Sequence, residues 1–304
     1  MLSNISPARA LLVLAGLFAS APAFATVNVV TTTQDLAALT QAVGGSNVKV
    51  SWIARGDLDP HFVDAKPSYM LKLASADLVV CVGMELEVGW LPPLLSGAGN
   101  PKVQSGTSGY LEASQAITPI EVPDGTIDRS RGDIHPAGNP HYWLDPENGR
   151  KVAHLIEARL EQVDPQNAAS YKSNLATFDA TMTTKEAAWA SALAPMKGSA
   201  IIGYHSTFDY LAKAYGLNVV GFVEPKPGIP PTPQHTLDLV ALAKANSVKY
   251  VIVEPFHNAA DAGPIASGSG AKVLTLPSSV GGLTGADDYF KLFDTIVRIL
   301  TTGA

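Results

Sequence analysis

The sequence predicts an α/β protein of two lobes, each with a mostly parallel sheet flanked by helices, joined by one long rigid helix. Three observations carry this. Short β-branched segments alternate with segments of helical spacing near the start of the chain. The same rhythm returns in its last third, and an unbroken helical pattern separates the two stretches.

Taken in order, Val27-Asn-Val-Val-Thr-Thr32 reads as a strand and residues 34–43 as a helix that stops at Gly44-Gly45. Residues 48–53 form a second strand, 67–74 a short helix, and Asp77-Leu-Val-Val-Cys-Val82 a third strand apolar enough to be covered on both faces. Cys81, the single cysteine, reads as a buried residue of that strand. After the break, residues 199–202, 218–222, 248–253 and 272–275 read as strands, and 207–215, 233–245 and 286–300 as helices. Between the halves, Asp164-Pro165 predicts an N-cap followed by proline at the first helical position. Tyr171, Leu175, Phe178 and Met182 then recur at helical spacing until Pro195 and Gly198. Such a helix is about 45 Å long at about 1.5 Å per residue, enough to run the height of the molecule. Residues 121–140 read as a polar, mobile loop, and the proline-dense stretch from Glu224 to Pro233 as a stiff connection before a helix. Gly268-Ser-Gly270 reads as loop.

The first 25 residues have the order of a secretory signal: Arg9, an apolar run over residues 10–19, and small residues at Ala23 and Ala25, with cleavage expected after Ala25. The apolar run is well short of the roughly 20 residues of a spanning helix. The expected layout is therefore a signal over 1–25, an N-terminal lobe over 26–163, a connecting helix over 164–196 and a C-terminal lobe over 197–304. The net charge of −6 comes without a basic stripe, which argues against nucleic acid as a partner.

Three of the seven histidines share one context, just after a strand or in the loop leaving it. They are His61 in Asp59-Pro-His61, His141 in Asn139-Pro-His-Tyr-Trp-Leu-Asp-Pro146, and His205 in Gly203-Tyr-His205. Loops at the carboxyl ends of parallel strands converge on one crevice, so distant histidines can meet there. Neutral imidazole is a common zinc ligand, and three of them leave one tetrahedral corner open. Asp59, Asp64, Asp145 and Asp209 stand near enough in sequence to accept from the outer ring nitrogens. His154 and His235 read as structural, His135 as a solvated loop residue or an accessory ligand, and His257 as a loop residue near Glu254.

These motifs, with Lys66-Pro-Ser68, Phe208-Asp-Tyr-Leu-Ala-Lys-Ala-Tyr-Gly216 and Val253-Glu-Pro255, resemble the cluster A-I solute-binding proteins over essentially all of residues 26–304. Those proteins are the zinc and manganese receptors of bacterial ABC transporters. The resemblance implies two α/β lobes on one rigid helix and metal ligation by His61 and His141. It also implies zinc rather than manganese, because the third place is histidine, His205, where manganese receptors typically carry glutamate. The implied partners are a membrane permease of an ABC transporter and a periplasmic metallochaperone. The implied state is a monomeric, non-enzymatic periplasmic protein. The family's usual fourth ligand, an aspartate after the last strand, has no counterpart in Leu276-Pro-Ser-Ser-Val-Gly-Gly282. That corner is left to Glu254, to water, or to a residue of the 121–140 loop, and Glu254 reads equally as a strand-end carboxylate in a structural hydrogen bond.

Two other readings fit parts of the pattern. A zinc hydrolase would use the same three histidines, a bound water and Glu254 as general base, but the sequence has no HExxH motif. An adhesin role, attributed to some members of the family, gains nothing here, since no lipobox cysteine follows the signal.

Overall fold

The computed structural model describes residues 26–124 and 135–304. The proposed signal segment and residues 125–134, half of the 121–140 loop, lie outside the described residues. No helix among those described is long and apolar enough to cross a membrane.

Two four-stranded parallel sheets form the frame. The first contains β1 (Val27–Thr31), β2 (Val48–Trp52), β3 (Leu78–Cys81) and β4 (Tyr110–Glu112) in the order β2-β1-β3-β4. The second contains β5 (Ala200–Gly203), β6 (Asn218–Phe222), β7 (Tyr250–Val253) and β8 (Lys272–Thr275) in the order β6-β5-β7-β8. The two orders are the same pattern. Each puts a reversal of winding between the first and third strands of its sheet, where such folds open a crevice.

Strand side chains alternate between faces, and this divides the interior into three cores. Val27, Val29, Leu78 and Val80 of the first sheet face the same central cluster as Ile201, Ile252 and Leu274 of the second. Their alternates face outward, with Val30, Val79 and Cys81 in one outer core and Ile202, Val251 and Val253 in the other. Each outer core is closed by its own helices, but the central one belongs to both halves. It is filled largely by α1 (Gln34–Gly44), α4 (Pro146–Val163), α5 (Ala168–Leu193) and α9 (Tyr289–Thr302).

The long helix is present as α5, 26 residues, with α1, α4 and α9 packed against it. Its start differs from expectation. Pro165 opens a short 3₁₀ turn, and the α-helix proper begins at Ala168. Asp164 caps no backbone amide there. Its buried carboxylate accepts instead from the Tyr171 hydroxyl and from Asn167 Nδ2 at 2.7 Å. The helices α2 (Pro67–Ala74), α6 (Asp209–Tyr215) and α7 (Pro233–Ala245) fall where the periodicity puts them. Four elements have no range in the sequence reading: α3 (Leu91–Ala98), β4, α4 and α8 (Ala259–Ser269). Prolines mask α3, but they sit in its first turn, where no amide hydrogen bond is lost. Gly263, Pro264 and Gly268 mask α8, whose last turn takes up Gly268 and Ser269, so that stretch is not loop.

The halves are stitched together beside the crevice. Gly56 lies so close to the Val280 carbonyl that a Cβ would stand 2.0 Å from that oxygen. Asp35, in the first turn of α1, accepts from the Ser279 hydroxyl and from the Val280 amide at 2.8 Å. Trp143 donates to the Ser278 carbonyl at 2.8 Å, and the Tyr289 hydroxyl donates to the Trp143 carbonyl at 2.6 Å. Burial pushes the Asp35 carboxyl up from 3.8 to about 7 against the opposing effect of the bonds from Ser279 and Val280.

The folded protein thus keeps the Asp35 proton through a range in which the unfolded chain releases it. Stability from this group is complete below about pH 4 and is lost as pH rises through about 7. We expect Asp35→Asn to gain on the wild type across that window, by up to about 1.4 kcal/mol per pH unit. Urea unfolding of both proteins at pH 5 and pH 8 measures this, and an equal difference at the two pH values would contradict it.

Candidate metal centre

The same local device places two of the three histidines. Asp59 and Asn139 each stand two residues before a histidine, with proline between. Asp59 Oδ1 accepts from the His61 amide at 2.9 Å and from His61 Nδ1 at 2.7 Å. Asn139 Oδ1 accepts from the His141 amide and from His141 Nδ1, both at 2.9 Å. The side-chain oxygen closes a turn on its own backbone, the proline fixes φ, and the ring is held with one nitrogen engaged. Each turn is anchored in turn: Trp90 donates to the Pro60 carbonyl and the Tyr210 hydroxyl to the Asn139 carbonyl, both at 3.0 Å.

His205 leaves the end of β5 and is held differently. Its Nδ1 lies 3.0 Å from Glu224 Oε2, just past the end of β6. Glu224 Oε2 also accepts from the Gly228 amide at 3.2 Å, so the proline-dense stretch positions this carboxylate.

Each Nδ1 therefore faces an acceptor. Asp59 and Glu224 are carboxylates, and Asn139 Nδ2 is occupied donating to Glu121 at 3.0 Å and to the Ser206 carbonyl at 2.7 Å, which leaves Oδ1 as the acceptor. Each Nδ1–H donates to its oxygen, which leaves Nε2 as the atom each ring can offer a metal. The three rings meet at one point. Their centroids are 5.2 Å apart for His61 and His141, 5.3 Å for His141 and His205, and 5.5 Å for His61 and His205. One ligand nitrogen from each lies within 4.8 Å of the other two. Zinc–nitrogen bonds of about 2.0–2.1 Å give a tetrahedral edge of roughly 3.3 Å, so the rings close on an ion by moving on the order of an ångström.

Burial sets the charge state. His141 is 2% exposed, and burial holds its pKa well below 6.5, with the neighbouring His61 and His205 adding to the effect. Burial alone would raise the Asp59 carboxyl, but the hydrogen bonds it accepts from the His61 ring and amide help to outweigh that and leave the group below its ordinary value. His141 is thus neutral with an amide oxygen behind it, while His61 and His205 each have a carboxylate behind them, an arrangement that strengthens a nitrogen ligand. A cavity of about 190 Å³ adjoins the three rings, walled in part by Phe62, Trp143, Phe256 and His257.

The sequence-proposed outer acceptors divide. Asp59 holds His61, whereas Asp145 caps α4 by accepting from the Glu147 amide at 3.0 Å. Asp209 sits beside Glu121, which adds to burial in pushing its carboxyl up to about 8. The role given to these acids for His205 falls instead to Glu224. A carboxylate just beyond a strand of the same sheet was the available signal.

Glu254 does not join the group of nitrogens. It is fully buried at the end of β7, it does not line the cavity, and no hydrogen bond of good geometry reaches either carboxylate oxygen among the described residues. Burial pushes it up to about 8, partly checked by nearby Thr207, so it carries a proton at neutral pH. It is not among the groups that this structure brings together with the three histidine nitrogens. His135 also differs from expectation. It is not solvated: its ring packs 5.2 Å from that of His61, and the two Nε2 atoms are 3.1 Å apart. His154, paired with Asp179 at 2.9 Å, and His235, on the Phe222 carbonyl at 3.0 Å, are structural as read. His257 stacks on Tyr204 at 4.1 Å and lines the cavity.

Two parallel-sheet lobes fused through one core, with three inward-facing imidazoles where they meet, define a class of two-lobed binding protein with an ion-sized site. The chain belongs to the family described as zinc-uptake complex component A, periplasmic, whose sequence profile matches residues 29–303. It is similar to the high-affinity zinc uptake system protein ZnuA of Yersinia pestis, 25% identical over 306 residues, with 95% of this chain and 94% of that protein covered. It is also similar to the zinc-binding lipoprotein AdcA of Streptococcus pneumoniae R6, 24% identical over 253 residues, which are 82% of this chain and 49% of AdcA. The chain spans about half the length of such AdcA relatives. In fold it matches a crystal structure of ZnuA with a TM-score of 0.76 at 24% identity, covering 91% of this chain and 98% of the other. It matches a cadmium-bound periplasmic metal-binding protein from Candidatus Liberibacter asiaticus equally well, with a TM-score of 0.76 at 18% identity, covering 91% and 99%.

Proposed function

We propose that this protein is a monomeric periplasmic receptor that binds zinc through Nε2 of His61, His141 and His205 and delivers it to the permease of an ABC transporter. The observation that carries this reading is the set of three imidazoles, each with Nδ1 engaged and all presenting Nε2 to one point. Three neutral nitrogens suit zinc better than manganese, which prefers oxygen ligands. The zinc names of the Yersinia and Streptococcus relatives agree with that choice. Their role also agrees with an ion held as cargo, taken up directly or from a metallochaperone.

The hydrolase alternative needs Glu254 as a base beside a zinc-bound water. Glu254 does not line the cavity next to the histidines, and burial keeps its proton on at neutral pH. Neither property suits a group that must accept a proton from water.

Three measurements test the reading. Competition with a chromophoric zinc chelator should show affinity falling by at least about a hundredfold in each of His61→Ala, His141→Ala and His205→Ala, since each removes a direct ligand where loss of an outer partner alone costs about 10–100-fold. Unchanged affinity in any two of them would remove the site. Glu224→Gln keeps the His205 ligand but weakens the acceptor behind it, so a smaller loss of about 10–100-fold is expected in the same assay. For delivery, cells lacking this chain should take up radioactive zinc slowly at low external zinc, and the wild-type gene but not the His205→Ala form should restore the rate. Equal restoration by both forms would refute a receptor role.

A further inference from the structure

We infer that Glu121 is a positioning residue of the metal centre, which by accepting from Asn139 Nδ2 fixes the amide that holds His141 and joins the His141 turn to the His205 turn. The inference rests on the receptor reading above and adds to it a residue that touches no ion.

The argument starts from the choice of asparagine at position 139 where the matching turn has Asp59. On the histidine side the two turns are alike, each with one oxygen accepting from a histidine amide and its Nδ1. The far side of Asn139 meets only acceptors. Its Nδ2 donates to Glu121 Oε2 at 3.0 Å and to the Ser206 carbonyl at 2.7 Å. A carboxylate in that place would set its second oxygen against two others, whereas an amide donates to both. A side-chain amide has two orientations of nearly equal shape. Rotated by half a turn, Asn139 would set its NH2 against the His141 amide and its oxygen against Glu121 and Ser206. Glu121 therefore helps to select the one orientation in which Oδ1 faces His141.

The same amide links two ligands. Ser206 directly follows His205, so one buried side chain touches both the turn before α4 and the turn after β5. Displacement of Asn139 would disturb two of the three nitrogens together.

Glu121 is itself firmly held. The Asn139 amide donates to the Ile120 carbonyl at 2.9 Å. The Tyr210 hydroxyl accepts from the Ile120 amide at 3.2 Å and donates to the Asn139 carbonyl at 3.0 Å. Glu121 has φ 55°, in the left-handed region that side chains disfavour, and residues kept there tend to cluster at functional sites. Asp209, the neighbour of Tyr210, lies beside Glu121 and keeps its own proton at neutral pH, because burial and the Glu121 charge push it up to about 8. No second negative charge then competes for Asn139.

An exchange of acceptor and donor tests this, with zinc affinity of the intact protein read by chelator competition. Glu121→Ala should weaken binding about tenfold, the low end for a partner behind a ligand. Glu121→Gln should stay close to wild type, since its amide oxygen accepts in the carboxylate's place. Asn139→Asp alone should cost about 10–100-fold. Combined with Glu121→Gln, whose NH2 can donate to the new carboxylate, it should recover most of that loss, a coupling that independent sites do not show. The inference is overturned if Asn139→Asp binds as well as wild type, or if the double variant is as weak as Asn139→Asp. It is also overturned if Glu121→Ala and Glu121→Gln behave alike. His205→Ala in parallel separates this from failure of the receptor reading. If it abolishes binding while the Glu121 variants equal wild type, only the positioning role is wrong. If it binds zinc as wild type does, the three-histidine site is wrong.

Discussion

The interaction on which the site depends is the hydrogen bond that fixes the tautomer of each imidazole. A histidine ring has two similar nitrogens, and an untethered ring presents either one. Here Asp59, Asn139 and Glu224 each accept a hydrogen bond from Nδ1, and Nε2 has one direction left to it. Orientation is settled before an ion arrives, so little rotamer freedom is lost on binding. The same bonds set the electrostatics. Two of the three acceptors are carboxylates, so the ion meets neutral ligands backed by negative charge, while burial keeps the His141 ring unprotonated.

The scaffold supplies the matching rigidity. One core is shared by both sheets, and each sheet has a private core on its outer face. Movement of one lobe against the other would open the shared core, which a flexible linker between independent domains would not do. The contacts beside the crevice add to this. Asp35 on Ser279 and Val280, Trp143 on Ser278, and the close pass of Gly56 under Val280 all cross from one half to the other. Such a frame favours small ring and loop adjustments over wide closure.

Much of this was legible in the residues. Alternation of β-branched and helical segments gave the two sheets, because parallel strands buried on both faces are apolar throughout. Loop context and the family motifs marked His61 and His141, and the Asx-Pro-His turn that holds both was there to be read, because all of its parts are adjacent in sequence. His205 shows the limit. Its partner Glu224 lies a strand away, and only the pairing of β5 with β6 brings them together. Glu254 sat at a strand end, as a ligand should, but a position in sequence does not say which face of the strand end is sealed. His135 looked isolated because its neighbours, His61 and Met84, are more than fifty residues away. The helices α3 and α8 were hidden by prolines and glycines whose cost depends on their place within the turn.

The stitching of α1 to the 276–282 segment has a consequence for how the molecule is made. Asp35 meets Ser279 and Val280 across a separation of 244 and 245 residues. The central core likewise needs Tyr289, Phe293 and Ile296 from the last helix. A chain growing from its N-terminus cannot complete this core until nearly all of it has been synthesised, and contacts of such long range form slowly. Until then the apolar inner faces of both sheets stay uncovered, so the two outer cores can close before the central one does.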